Sequence, residues 1–281
     1  MAALKYWIWL TALPGLTNHA RLLLLDHFGS PENIYYAEKE ELLLVEGLGS
    51  AQASLAANRS LTAADTILGD CERLGIQVLT MQDAAYPQRL RNIFDPPVIL
   101  YWKGQLPLFD EEAAVAVVGT RGCTPYGLQT AEQLGWEMTK QGALVVSGLA
   151  KGIDAASHRG ALRAGGATAA VLGGGIDVIY PAENRGLFAD IETAGVLLSE
   201  YPPGTEAAGG HFPARNRIIS GLCLATVVVE APERSGALIT ANTALEQGRE
   251  VFAVPGPINA PNSRGCNALI RDGAGIVTGS W

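Results

Sequence analysis

The sequence predicts an α/β protein built on a doubly wound, mostly parallel sheet and preceded by a small all-α domain. Short apolar runs rich in valine recur at residues 115–118, 143–146, 168–172, 196–198, 225–229 and 251–254. None alternates with polar residues, as expected for strands covered on both faces. Helical stretches lie between most of them, for example 128–141 and 155–164. Such alternation implies right-handed βαβ units, whose ligands sit beyond the carboxyl ends of the strands. The glycines and basic residues of this chain gather at those ends.

The first sixty or so residues have a different pattern. Leu13-Pro14-Gly15 precedes an apolar segment at 21–28, and Glu46-Gly47-Leu48-Gly49-Ser50 precedes another at 51–58. The repeated glycine turn between short helices predicts tandem helix–hairpin–helix units, a SAM-like arrangement. Hairpins of this kind can aim backbone N–H groups at a phosphate. Here Glu38, Glu40, Glu41 and Glu46 surround them, which favours a packing or protein-contact role. Residues 1–64 are therefore expected to form the helical domain and residues 65–281 the sheet domain. The latter opens with a helix at 62–74, a strand at 76–80, proline breakers at Pro87, Pro96 and Pro97, and a strand at 98–102.

A hydrophobic content of 48% with 17% charged residues supports a sizeable core and excludes disorder. No run is long enough to span a bilayer, and the amino terminus does not read as a signal peptide, so a cytoplasmic location without membrane attachment is expected. Cys71, Cys123, Cys223 and Cys266 are too dispersed for a zinc site and read as reduced thiols. His19, His27, His158 and His211 are likewise scattered, so neither metal nor cofactor is expected. A net charge of −8 argues against coating nucleic acid by bulk electrostatics. The charge is uneven, however: residues 1–114 carry a net −6 and residues 115–281 a net −2. A local groove of arginines remains compatible with the total.

Five segments carry the candidate chemistry. Gly119-Thr120-Arg121-Gly122 follows the 115–118 strand and leads through Pro125 into a helix; glycine admits an anion close to the backbone and Arg121 adds a charged fork. Ser147-Gly148-Leu149-Ala150-Lys151 follows the next strand, with Ser147 and Lys151 as further phosphate donors. Asp154 and His158 are one helical turn apart and could form a local pair; helix packing or support of the loop is expected of them rather than a catalytic dyad. Gly173-Gly174-Gly175 ends the third strand, before Tyr180-Pro181 and Asn184-Arg185. Arg215-Asn216-Arg217 follows Phe212-Pro213 and offers two fork-shaped donors beside an amide. Ser235-Gly236 opens a helix whose start can face an anion. No Gly-x-Gly-x-x-Gly fingerprint, Walker A loop or Gly-x-Ser-x-Gly elbow is present.

Taken in order, these motifs, together with Leu198-Ser199-Glu200-Tyr201-Pro202-Pro203-Gly204 and Val254-Pro255-Gly256, resemble the bacterial DNA-processing family DprA, also called Smf, over roughly residues 65–281. The resemblance implies an extended Rossmann-like fold that binds single-stranded DNA, protects it, and loads the recombinase RecA during natural transformation as a homodimer without catalysis. By position, it implies a phosphate pocket of Gly119, Thr120 and Arg121, with Ser147, Gly148 and Lys151 nearby and a basic wall of Arg215, Asn216 and Arg217. Gly174, Asn184, Arg185, Ser235 and Gly236 complete the expected DNA-binding set. Where relatives often carry a basic residue after Tyr180-Pro181, this chain has Ala182 and Glu183, leaving Arg185 as the substitute. A winged-helix domain that often follows in the family is not part of this sequence. The helices around 238–248 and 266–272 are the expected partner contacts. A nucleotide-directed hydrolase on the same fold is the alternative reading.

Overall fold

A computed structural model describes residues 3–279. Compactness divides the chain into one unit reaching Tyr86 together with Asp95–Tyr101, and a second unit of Pro87–Phe94 and residues from Trp102 onward.

The first unit holds six helices, α1 (Leu4–Ala12), α2 (Asn18–Phe28), α3 (Pro31–Tyr36), α4 (Lys39–Leu42), α5 (Ser50–Ala56) and α6 (Thr62–Leu74), and the strand β1 (Gln77–Thr80). The first unit therefore takes in α6 and β1, beyond residue 64. Both expected glycine hairpins are present: Gly15 and Gly47 sit at φ of +78° and +79°, the left-handed region that glycine enters without steric penalty. Trp9, Leu24, Ile34 and Leu42 fill the space between the helices. The indole N–H of Trp9 donates to the Asn58 carbonyl at 2.8 Å, satisfying the one polar atom of a fully buried ring.

After the short helix α7 (Gln88–Arg91), the strand β2 (Ile99–Gly104) runs across the boundary between the units. The second unit then alternates as expected: β3 (Ala113–Val118), α8 (Pro125–Lys140), β4 (Ala143–Ser147), α9 (Ile153–Arg163), β5 (Thr168–Leu172), α10 (Arg185–Ala194), β6 (Val196–Ser199), α11 (His211–Gly221), β7 (Ala225–Val228), α12 (Gly236–Glu246), β8 (Glu250–Ala253), α13 (Arg264–Arg271) and β9 (Gly275–Ile276). Within it the strand order is β6-β5-β4-β3-β7-β8-β9, and every neighbouring pair is parallel. This is the Rossmann-like, doubly wound sheet the apolar runs predict. Val117, Val145 and Val227 on the central strands pack with Ala131, Leu134 and Met138 of α8 and Ile153 and Ala156 of α9.

The chain leaves β3 towards β4 on one side and returns to β7 on the other. The strand order thus reverses at β3, and loops leaving β3 and β7 diverge there into a crevice, the usual ligand position in such sheets.

The segment 211–221, which carries the expected arginine cluster after Phe212-Pro213, forms the helix α11. Pro213 falls in its first turn, where the missing N–H has no intrahelical partner to lose.

Candidate nucleic-acid interface

At the crevice, the carboxyl ends of β3 and β7 and the amino-terminal parts of α11 and α12 border a cleft of about 300 Å³. Gly119, Thr120, Arg121, Arg215, Asn216, Ser235 and Gly236 all line it. Gly148 and Gly174 line a smaller adjoining crevice with Tyr180 and Phe212. The structure therefore gathers residues from three expected motifs in the cleft and from two more in the crevice beside it.

Their roles divide by exposure. Arg121 is exposed, and its guanidinium lies over the Phe212 ring at 4.7 Å from the centroid, a cation–π contact that leaves the charge open to the cleft. Arg215, expected in the basic wall of the pocket, is only 4% exposed. One of its terminal nitrogens donates to the Gly148 carbonyl at 2.8 Å and to the Val171 carbonyl. It forms the floor of the cleft and ties α11 to the ends of β4 and β5. A Cβ on Gly148 would overlap the guanidinium, so glycine is required there by the close approach.

Arg217 also departs from the expected basic wall. Its two terminal nitrogens donate to the two carboxylate oxygens of Glu200 at 2.8 Å each, with side chains 13% and 19% exposed. This bidentate geometry already uses the fork proposed for phosphate. Lys151 meets Glu183 at 2.5 Å, so the acidic residue after Tyr180-Pro181 offsets the nearest lysine. Arg185 is exposed at the start of α10.

Ser147 and Asn184 serve the interior rather than the surface. The Ser147 hydroxyl donates to the Val117 carbonyl at 2.6 Å, bridging β4 to β3. The Asn184 amide donates to the carbonyls of Leu149 at 2.9 Å and Ala150 at 3.3 Å. Leu149 carries a φ of +54°, a conformation unfavourable for a side chain of its size. Asn184 thus pins a strained loop beside the cleft.

The two helix starts differ as well. α8 begins at Thr124, whose amide and hydroxyl are both taken by the Glu230 carboxylate. The protein's own carboxylate fills the end that the sequence reading offered to an anion. At α12, by contrast, Ser235 and Gly236 face the cleft, and the Ser235 hydroxyl caps the Ala237 N–H at 3.3 Å.

With this geometry in hand, comparison with known proteins decides the family. The profile of the family described as DNA recombination-mediator protein A matches residues 77–280. The DNA processing protein DprA of Streptococcus pneumoniae is 41% identical over 281 residues, spanning 99% of this chain and 96% of that protein. The Bacillus subtilis protein of the same name is 45% identical over 211 residues, spanning 75% and 71%. The chain belongs to the DNA recombination-mediator protein A family. Its fold also matches the X-ray structure of the Streptococcus pneumoniae protein with a TM-score of 0.80 at 39% identity, covering 98% of this chain and 95% of that one. A Helicobacter pylori DprA structure, described for its single-stranded DNA binding mode, matches with a TM-score of 0.66 at 32% identity, covering 72% and 92%.

Beneath the cleft two oppositely charged groups, Asp154 and Arg215, are both buried. Burial pushes the Asp154 carboxyl up, against the opposing pull of Arg215, the amides of Ala150 and Gly148, and Arg121. Burial likewise lowers Arg215 to about 10, opposed by Asp154 and reinforced by Arg121. Each buried charge favours the charged form of the other, and Arg121 is an exposed charge at the cleft. The Asp154 carboxylate accepts the Gly148 N–H at 3.2 Å, while His158 bonds through Nδ1 to Thr168 Oγ1 at 2.7 Å. In place of the local pair their spacing allowed, each bonds to its own part of the fold.

Three residues at the candidate site were not singled out in the sequence. Phe212 and Tyr180 form an aromatic pair with centroids 5.5 Å apart, and Arg234 lines the cleft from an exposed position. The signal for Arg234 was its place immediately before the Ser235 cap. For the aromatic rings there was none, because Tyr180 and Phe212 meet only when the loops after β5 and before α11 fold together.

Proposed function

We propose that this protein binds single-stranded DNA through the cleft at the β3–β7 reversal, and delivers it to a RecA-type recombinase without acting on it chemically. The observation that carries this reading is the exposed Arg121 guanidinium beside the aromatic Phe212 and the open start of α12. Such a site presents a phosphate contact next to a ring on which a base can stack, the combination that single-strand binders use with little sequence preference. Thr120, Arg121, Asn216, Ser235 and Gly236 are the surface contacts on this reading. Gly148 and Gly174 give room beside them, and Arg185 extends the path, while Lys151 is offset by Glu183. Ser147, Asn184, Arg215 and Arg217 hold the frame.

Family membership supports a part in DNA processing during natural transformation, in the cytoplasm. A homodimer or recombinase contact through α12 is supported by Ile239 and Leu245, which are 46% and 56% exposed. Against a nucleotide hydrolase, Asp154 is the one carboxylate lining the cleft among the described residues, and it is already bonded to the Gly148 amide. General acid–base hydrolysis requires a group free to transfer a proton at the reacting atom.

The test is fluorescence anisotropy with a labelled single-stranded oligonucleotide, competed by duplex and titrated with salt. Salt-sensitive binding that prefers single strands is expected. Base release from nucleoside monophosphates, with no oligonucleotide binding, would instead establish the hydrolase.

A further inference from the structure

Glu230 follows β7 and is 4% exposed, yet it does not line the cleft. Its carboxylate accepts two bonds from Thr124: the N–H to Oε2 at 2.8 Å and the hydroxyl to Oε1 at 2.6 Å. The Thr124 oxygen in turn accepts the Gly127 N–H at 3.2 Å, capping α8. The backbone carbonyl of Glu230 takes the Thr120 N–H at 2.8 Å. Asn262 completes the arrangement, its amide donating to the Gly122 carbonyl at 2.9 Å. The loop between β3 and α8 is therefore fastened at Thr120, Gly122 and Thr124, on both sides of Arg121.

We propose that Glu230, acting through Thr124, is a positioning residue that holds the 119–124 loop and so aims Arg121 at the phosphate backbone of single-stranded DNA. The proposal rests on the DNA-binding reading above. A carboxylate suits the task because both oxygens accept, because its bonds are charge-assisted, and because α8 presents the positive end of its dipole. Space is fitted to it as well: a Cβ on Gly127 would lie 2.5 Å from Glu230 Oε2, so the first turn of α8 closes directly over the carboxylate. Buried and fully engaged, the negative charge stays out of the path of an incoming phosphate. An arginine on an unfastened loop would lose affinity through the entropy of ordering it on binding.

A double-mutant cycle between Glu230→Ala and Arg121→Ala tests this, read by anisotropy with labelled oligo-dT across a salt series. If the two residues act as one unit, Glu230→Ala weakens binding by roughly tenfold, and the double variant binds no more weakly than Arg121→Ala alone. The salt slope of Glu230→Ala should fall by about 0.7, the loss of one phosphate contact. Glu230→Gln, which keeps the volume and one acceptor oxygen but neither the second acceptor nor the charge, should recover only part of the loss. Amide hydrogen exchange at residues 119–124 should rise in Glu230→Ala while β3 and β4 stay protected. A residue that only stabilised the fold would shift the unfolding midpoint and leave the salt slope intact. Should Glu230→Ala fail to fold, Thr124→Val, which removes only the hydroxyl side of the latch, enters the same cycle. Losses that multiply in the double variant, or an unchanged salt slope, overturn the proposal while leaving the DNA reading in place. Wild-type affinity in Arg121→Ala overturns both.

Discussion

Arg121 and Arg215 border the same cleft, but one guanidinium faces solvent above an aromatic ring and the other is enclosed with Asp154. Their alanine variants should fail for different reasons. Arg121→Ala removes a surface charge, so affinity for single strands of any sequence falls and the log–log salt slope drops by about 0.7, with little change in stability. Arg215→Ala removes the donor to the buried Gly148 and Val171 carbonyls and the cation that favours the Asp154 carboxylate, and each buried acceptor left unpaired costs about 1–3 kcal/mol. Denaturant unfolding should show that loss for Arg215→Ala alone. The distinction was partly legible in the sequence. Arg215, Ile218, Ile219 and Leu222 are spaced as one helical face, and all four are buried. The Phe-Pro pair obscured that spacing, because a proline after an aromatic reads as a helix breaker unless it falls in the first turn. Glu230 gave no comparable signal. A carboxylate after an apolar strand looks like a solvated end until the partner loop closes over it.

The elements were the most readable level. Valine-rich, non-alternating runs can be buried on both faces only in a covered parallel sheet, so β3 to β8 stood out. The strand β9, with two residues, lacked the length to register. Helix contacts are less visible, since they depend on what is missing from a side chain. A Cβ on Gly160 of α9 would overlap the Glu132 carbonyl of α8, so these helices meet backbone to backbone. Gly160→Ala should therefore force them apart and cost about 1–3 kcal/mol, despite the higher helix propensity of alanine. Thermal unfolding measures it.

His158, on the same helix, gives α9 a pH dependence. Its burial, with Arg215 and Arg159 nearby, lowers its pKa to about 3 from 6.5. Because the folded value lies below the unfolded one, the contribution of neutral His158 is complete above pH 6.5 and declines as the pH falls towards 3. In that window the unfolded chain binds the extra proton, so stability should fall by up to about 1.4 kcal/mol per pH unit from this group. Urea unfolding of wild type and His158→Gln at pH 7.5 and 5 should show a steeper loss for wild type.

At the scale of the whole molecule, a net charge of −8 belongs to a protein whose β3–β7 cleft presents the exposed Arg121 and Arg234. The fold resolves this by neutralising cations that do not face the cleft, Arg217 with Glu200 and Lys151 with Glu183, and leaving Arg121 open to it. Composition bounded the total charge, but pairing is a property of the folded chain. The reading of α12 as an assembly surface also belongs here. Ile239, Asn242 and Leu245 lie exposed at three-residue spacing, and Leu245→Arg should reduce the mass seen by sedimentation if copies meet there. An unchanged oligomeric state would move the contact elsewhere.

The most direct test of the central claim is anisotropy of a labelled single strand with wild type and Arg121→Ala over a range of salt, with unlabelled duplex as competitor. The structure predicts salt-dependent binding that duplex competes poorly, and weaker binding with a shallower slope in the variant. Equal affinity and equal slope for the two proteins would contradict the assignment of the β3–β7 cleft as the DNA-binding site.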